Sequence, residues 1–567
     1  MTLFDAALFL LVILGVAARY IAPPAVPKRE EDRGRDWLTP GVFLACFVAQ
    51  VVWHLVEDSS WRPHGPDWDT WLLSAMAWTG KAPHFPQRWP MYGLFAALLD
   101  WVTPGPMYIK VQLISHLAVA ASAAGVYRLG RALLGSPGAL AAAILVGSFP
   151  VVMKMGAWSN AHALWAAAAV WAVVGLGEAT RSNRPVWWAV AGFAIAVVMA
   201  CMAKGLLLGT LFVGLYSVAA LFNLKRGARR ALWGLLPFAA LALIYFSIST
   251  SFMPFEWYME SAQESYDREG GAAQAGGPLP GTLKAKTVEG YVFGQSMSPA
   301  TIWRAFHRAN KIMPAAERAN NTRGSIGKVR RMFPSAGVPI LVLLCLAPLV
   351  GLWQQRRRPG GLVAWAGIGV ILVGTLPALF SRLEYRFLLP LLTILPLLLL
   401  APVSAGVRSR RRPWAWLPLL TLPAALLPGS PWLEKAEVDQ ALRVIEVRAE
   451  FSWEVRQAMA RDYPEAQLSV LAPPPFALIL DGRQGRMFTL DPRFFHWGAD
   501  LRFADEHHVL VEEQPSRAHP TAPQPGVVAV ISRALIQRLH RQRPVLKQWA
   551  PSPSAPPLVL FGPRSSP

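Results

Sequence analysis

The feature that most constrains this chain is a succession of apolar runs long enough to cross about 30 Å of hydrocarbon. They lie near residues 3–22, 38–57, 106–128, 136–153, 160–177, 186–203, 205–222, 231–250, 337–354, 361–380, 385–404 and 413–428. A segment inside a bilayer must satisfy its own backbone N–H and C=O groups, so runs of this length read as helices. The expected fold is an all-α polytopic membrane protein with about 12 transmembrane helices. Composition agrees: 53% of the residues are hydrophobic, 16% are charged, and the mean hydropathy is +0.33. Cys46, Cys201 and Cys345 all fall inside apolar runs, where cysteine acts as a small hydrophobe. No disulfide and no structural zinc are expected. The first run begins with Asp5 and has no basic stretch before it, which favours a retained helix over a cleaved signal peptide.

A net charge of +21 raises the question of nucleic acid. The basic residues, however, stand in short clusters between apolar runs, and topology explains them better. When the runs alternate sides, Arg19 with Lys28, Arg29, Arg33 and Arg35 shares a face with Arg128 and Arg131, and with Arg181 and Arg184. Lys225, Arg226, Arg229 and Arg230 join them, as do Arg356 to Arg358 and Arg408 with Arg410 to Arg412. Short loops rich in Lys and Arg stay cytoplasmic. Both termini are then extracytoplasmic, and the short run at 89–103 does not cross. The composition and topology fit a bacterial inner (plasma) membrane, with an endoplasmic reticulum membrane left open, and no nucleic-acid partner is expected.

This map divides the chain into a membrane domain, 1–428, and an extracytoplasmic C-terminal domain, 429–567. Two outer loops stand out in the first, 58–105 and 251–336. Gly270, Gly271, Gly276, Gly277, Pro278 and Pro280 make the second a flexible loop able to close over a substrate. In the tail, a helical stretch near Glu434 to Arg461 precedes short apolar runs at Phe476 to Leu480, His508 to Val511 and Val527 to Ile531. A Pro-rich linker near Pro515 to Pro525 interrupts them. A small α/β domain is expected there.

The first outer loop carries Asp67 and Asp69 ahead of two amphipathic stretches, Trp71 to Trp78 and Trp89 to about Val102. Both are too short to span and have aromatic edges, so they are expected to lie in the membrane interface. A carboxylate held there can deprotonate an acceptor hydroxyl or amine, and low dielectric raises its basicity. The alternative is that both acids serve the start of the following helix as caps. Trp53, Trp61, Trp68, Trp71, Trp78, Trp89 and Trp101 crowd the same region, with interfacial anchoring the default and sugar stacking an option for one or two.

Asp69, Thr70, Trp71 and Ala77, then Gly80, then Arg88, Trp89, Pro90, Met91 and Tyr92 together resemble the first outer loop of the GT-C superfamily of polyprenyl-phosphate-dependent glycosyltransferases. The likeness is to the branch of the protein O-mannosyltransferases and the lipid A aminoarabinose transferase. That family pattern is an acidic motif, a glycine and a P-L-Y stretch. Thr70 stands where the family often has Glu, and Asp67 could take over that second acid's role. Further along, Ala203, Lys204 and Gly205 resemble the family's A-K-G turn, and Tyr385 to Pro390 with Pro396 its R-Y-x-L-P-x-x-P element. The resemblance implies Asp69 as the catalytic acid, assisted by Asp67. It implies substrate contacts from Lys204, Arg386, Tyr385, Tyr92 and Arg88. It covers most of residues 38–404, with the helix at 3–22 and the long tail as departures.

Several of these positions have a plainer reading. Lys204 at a helix end can snorkel to the interface or stabilise the phosphate charge that develops as a glycosyl bond breaks. Arg386 can pair locally with Glu384 or grip a phosphate through two hydrogen bonds. Asn160 and His162 occupy another outer turn as secondary substrate-binding candidates, although Asn160 suits a helix cap and a lone His is commonly structural. His54, Glu57, Asp58 and His64 with the two aspartates offer mixed ligands for a divalent metal, but no spacing is specific, and no metal or cofactor is expected. The activity implied is transfer of a sugar from a polyprenyl-phosphate donor to an extracytoplasmic acceptor (protein, lipid or glycan). The lipid bilayer is the remaining partner. A transporter or flippase of lipid-linked substrates, or a non-catalytic protein of envelope assembly, remains the alternative.

Overall fold

The structure, a computed structural model, describes residues 3–21, 37–57, 61, 68–81, 91–223, 228–252, 347–349, 351–352, 355, 358–375, 388–407, 414–428, 430, 432–433, 442–471, 476–488, 507–512, 536–537, 539–550 and 557–564. Its membrane part is built from α1 (Leu3–Ile21), α2 (Leu38–Glu57), α3 (Trp68–Trp78), α4 (Met91–Val102), α5 (Met107–Leu133), α6 (Ser136–Gly147) and α7 (Pro150–Ala157). There follow α8 (Ala161–Ser182), α9 (Pro185–Cys201), α10 (Ala203–Phe222), α11 (Leu232–Phe252), α12 (Pro359–Thr375) and α13 (Leu389–Val407). The protein is a multi-pass membrane protein of helical bundle type.

Fewer spans are legible than the hydropathy pattern predicts. Among the described residues, three helices are long and apolar enough to cross, or four if the bent pair α6 and α7 is one span; α9, α12 and others are apolar but shorter. The run expected at 136–153 breaks by 55° between Gly147 and Pro150, because proline has no N–H to continue the ladder. The run expected at 413–428 becomes a 3-10 helix, Trp414–Leu420, and a four-residue helix, Thr421–Ala424. Pro413, Pro418, Pro423 and Pro428 recur too often for an α-helix to form there. The run at 337–354 and the loop at 251–336 lie mostly outside the described residues.

Close packing follows from small residues, which let helix backbones approach where the hydrophobic effect gives no drive. A Cβ on Gly175 of α8 would stand 2.7 Å from the Ala191 backbone nitrogen of α9, and one on Gly192 of α9 1.8 Å from the Gly234 carbonyl of α11. Asn183 ends α8 in the left-handed conformation, φ 48°, and returns its N–H to Ala179. Its side chain accepts from the Trp188 indole at 3.1 Å, and Pro185 opens α9.

Two sets of contacts orient the bundle. Ser115 near the start of α5 bonds the Asn160 backbone at the start of α8, at 3.2 Å to its oxygen. Arg128 near the end of α5 bonds Glu178 near the end of α8, at 3.2 Å. The two helices are therefore parallel. The Trp165 indole nitrogen of α8 lies 3.3 Å from where Gly205 of α10 would carry a Cβ, so α10 starts at the same end. At the opposite end Glu178 also receives Arg181 at 2.5 Å, and Arg230 donates to the Asn183 carbonyl at 3.2 Å. Of the basic groups that alternating the sequence runs puts on one face, those of Arg128, Arg181 and Arg230 share one end of the molecule; those at 28–35, 225–226 and 408–412 lie outside the described residues.

The C-terminal segment has α14 (Leu442–Asp462), α15 (Ala477–Leu480) and strands β1 (Leu468–Leu471), β2 (Gly485–Phe488), β3 (His508–Glu512), β4 (Val545–Trp549) and β5 (Leu558–Phe561). They form one mixed sheet in the order β2-β1-β3-β5-β4. β1 runs parallel to β2 and β3, and β5 antiparallel to β3 and β4. β1 and β5 are buried along their whole length, which is why they read as continuous apolar runs. The run at 476–480 is helix rather than strand, a short apolar stretch whose period alone does not decide its type. The run at 527–531 lies outside the described residues.

Candidate active site

Asp69 stands in the first turn of α3, half-buried, where a carboxylate also complements the helix dipole. α3 itself departs from expectation. Trp68, Trp71, Leu72, Leu73, Ser74, Ala75, Met76 and Ala77 are all buried, so this helix is enclosed by protein rather than lying in the interface. Gly93 explains how: a Cβ there would be 2.5 Å from Ser74 Oγ and 2.6 Å from the Ser74 carbonyl carbon, so α4 crosses α3 in backbone contact. α4 keeps the amphipathic character the sequence gives it. Met91, Tyr92, Gly93, Ala96 and Ala97 face inward, while Trp101 is 78% exposed. Of the tryptophans read as interfacial anchors, Trp68 and Trp71 are core.

Tyr92 is fully buried. Its hydroxyl donates to the Val111 carbonyl at 2.6 Å and lies 2.7 Å from Ser115 Oγ, while its ring meets Trp71 edge-on at 5.4 Å. Ser115 in turn holds the backbone of Asn160. Asn160 caps α8, its Oδ1 accepting from the His162 N–H at 2.9 Å. His162, two residues further on, is buried. The sequence-nominated residues Tyr92, Asn160 and His162 are thus brought together with α3, and the first two have structural tasks that account for their presence. Lys204 falls in the first turn of α10, which follows α9 after the single extended residue Met202. Gly205 is required there, since a Cβ would be 1.9 Å from the Val198 carbonyl. Asp67, Arg88, Tyr385 and Arg386 lie outside the described residues.

The starts of α5, α8 and α10 gather at the end of the bundle where α3 and α4 sit. Asn160 caps the start of α8 and a carboxylate of the tail that of α5, while the start of α10 has no side-chain cap, and its backbone N–H groups with the positive end of the dipole suit an anion. The Trp165 indole N–H, buried beside Gly205, has no hydrogen-bond partner among the described residues.

Two further polar pairs lie in this half, and neither pairing was marked in the sequence. Lys110 of α5, 3% exposed, pairs with Asp100 of α4, and a charge inside an apolar run such as MYIKVQ was the available signal. His54 of α2 bonds His116 of α5, ring nitrogens 3.0 Å apart, with Trp61 stacked on His54 at 4.6 Å. His54 pairs with a second imidazole, while Asp58, His64 and Asp67, three of its sequence-nominated companions, lie outside the described residues. Among the described residues no three of His, Cys, Asp and Glu gather as metal ligands.

Residues 86–251, from the end of the first outer loop through α11, match the family model described as dolichyl-phosphate-mannose-protein mannosyltransferase. The match covers well under half of the chain. The matched segment contains α4, α5, α8 and α10, the helices that build the gathered end. Among solved structures, ArnT from Cupriavidus metallidurans in the apo state is 11% identical, with 92% of this chain and 98% of that chain covered at a TM-score of 0.39. The oligosaccharyltransferase of Archaeoglobus fulgidus tethered with an acceptor peptide is also 11% identical, with 94% and 74% covered at a TM-score of 0.39. No curated protein matches the chain.

Proposed function

We propose that this protein is a GT-C-type glycosyltransferase that transfers a sugar from a polyprenyl-phosphate donor to an extracytoplasmic acceptor. The observation that carries the reading is the gathering of three helix starts at the end where α3 bears Asp69, within and beside the family-matched segment. Leaving-group phosphate charge would develop against the backbone donors of α10, with Lys204 beside them. Asp69 is the general base that takes the acceptor's proton, Asp67 assists, and Arg386 completes the phosphate grip. Mutating Asp69 to Asn and following glycosylation in membranes tests the assignment; turnover at the wild-type rate removes Asp69 from the mechanism.

Orientation is part of the proposal. The end holding Arg128, Arg181 and Arg230 is cytoplasmic in an inner membrane, by the excess of basic residues in its short loops. Both termini and the Asp69 end then face outward. Single cysteines at Gly105 and at Arg184 should react with an impermeant thiol reagent from opposite sides of sealed vesicles. Labelling of both from one side would overturn this orientation.

A further inference from the structure

The C-terminal segment is not a free appendage above the bundle. Asp481, directly after α15, lies in the interface between the two parts. Its Oδ1 accepts from the Met107 N–H at 2.8 Å and its Oδ2 from the Tyr108 N–H at 2.9 Å. These are the first two residues of α5, whose own preceding residue, Pro106, provides no side-chain cap. A 27-residue helix thus receives its N-terminal carboxylate from a residue 374 positions away, in the geometry a local cap would have. The carboxylate is enclosed. Asp481 is 4% exposed, and its neighbours Ala477, Leu478, Ile479 and Leu480 are all fully buried.

A further contact ties this point to the catalytic helix. α15 packs against α3. Lys81 stands in the turn that closes α3, its N–H donating to the Met76 carbonyl at 2.9 Å. From the tail side, Arg456 of α14 lies over the Tyr108 ring at 4.8 Å and donates to the Asp481 carbonyl at 3.4 Å, while Trp453 meets Tyr108 edge-on at 5.6 Å. A second attachment, the Trp432 indole donating to the Leu145 carbonyl at 2.8 Å with its ring against Phe149 and Phe4, holds the start of the tail to α6 and α1.

We propose that Asp481 is a positioning residue for the transfer reaction: by clamping the start of α5 and, through α15, the helix α3, it fixes where Asp69 is presented. The argument is mechanical. α3 is eleven residues long and presents Asp69 from its first turn. Its far end is held by the Asp481 cluster and its middle by the close crossing at Gly93. With the cap lost, α5 frays at Met107 and Tyr108, and α15 loses its anchor. α3 then keeps its crossing with α4 at Gly93 but rests on an α5 whose start has loosened, which is enough to move a proton-accepting group beyond the sub-ångström tolerance such chemistry needs.

The inference rests on the reading that Asp69 is catalytic, and the experiment separates the two. Full-length wild type, Asp481→Ala, Asp481→Asn and Asp69→Asn are compared by amide hydrogen exchange in lipid nanodiscs, undecaprenyl-phosphate binding, and glycosylation in native membranes. Asp481→Ala should raise exchange about tenfold at residues 107–110 and in α3, and lower glycosylation about tenfold. Undecaprenyl-phosphate affinity should stay within about twofold, because the clamp acts on the acid rather than on the phosphate cradle. Asp481→Asn keeps one accepting oxygen and should fall between the two. It carries the comparison if the alanine variant does not accumulate. Unchanged exchange in α3, or wild-type glycosylation with a disturbed α3, overturns the proposal. If Asp69→Asn glycosylates normally, the catalytic assignment fails, and the exchange result in α3 still decides whether the clamp exists.

Discussion

The two ends of the helical bundle are built on opposite principles. At one end Arg128 and Arg181 pair with Glu178, and Arg230 donates to the carbonyl of Asn183. At the other, three helix starts collect, Asp69 is only half-buried, and the Trp165 indole N–H stays unmatched by the described residues. A closed charge network spends its interactions on holding helices together, whereas donors without a protein acceptor are kept for something that arrives. Under the proposed function the difference separates a stability end from a chemistry end, and single substitutions should separate them too.

The largest effect should come from Asp69→Asn. Removing a general base lowers turnover by about 10² to 10⁴-fold, and thermal unfolding of the variant in detergent should match the wild type within about 2 °C. A collapse of stability instead would move Asp69 into the structural class. Glu178→Gln should do the reverse. It leaves Arg128 and Arg181 facing a neutral amide and costs about 1.5 kcal/mol, the low end for a bond to a charged group because Arg181 is 63% exposed. Denaturation should register that loss while glycosylation per folded molecule holds. A catalytic defect in Glu178→Gln would break the division of labour between the ends.

The smallest effect concerns the tail. Burial pushes the Asp481 carboxyl above its ordinary range, against the pull of the Tyr108 and Met107 N–H groups and the Arg456 and Lys81 charges. A group whose pKa is raised on docking stabilises the docked state below the ordinary carboxyl pKa, and that contribution is lost as pH rises through the raised value. Protection factors at Met107 and Tyr108 should therefore fall as pH climbs through that window. In Asp481→Asn they should be flat across it. A pH-independent profile in the wild type would mean that another group sets the docking.

Much of this was legible in the residues. Helix positions from α1 to α11 follow the apolar runs, because a backbone in hydrocarbon has few ways to satisfy itself. The basic clusters predicted which loops share an end, and Asn160 as a cap was readable from its place before AHALW. Other features were not. The apolar period of Trp71 to Trp78 describes a helix equally well on a membrane surface or inside a protein, and only the tail packing behind it together with Gly93 decided for the interior. The His54–His116 pair joins positions 62 residues apart, with no local spacing to mark it. Asp481, in an unremarkable LILDGR stretch, gave no sign of capping a helix nearly four hundred residues upstream.

The sequence by itself determined that this chain enters a membrane, roughly where its helices run, and which end gathers arginine. Those are local matters, decided by hydropathy over about 20 residues and by charge in short loops. Tertiary structure alone decided that α3 is enclosed, that Tyr92 serves α5, and that the tail's carboxylate closes the start of that helix. Such facts depend on which side chains come within 3 Å of a distant backbone, and a one-dimensional pattern of polarity carries no record of that distance.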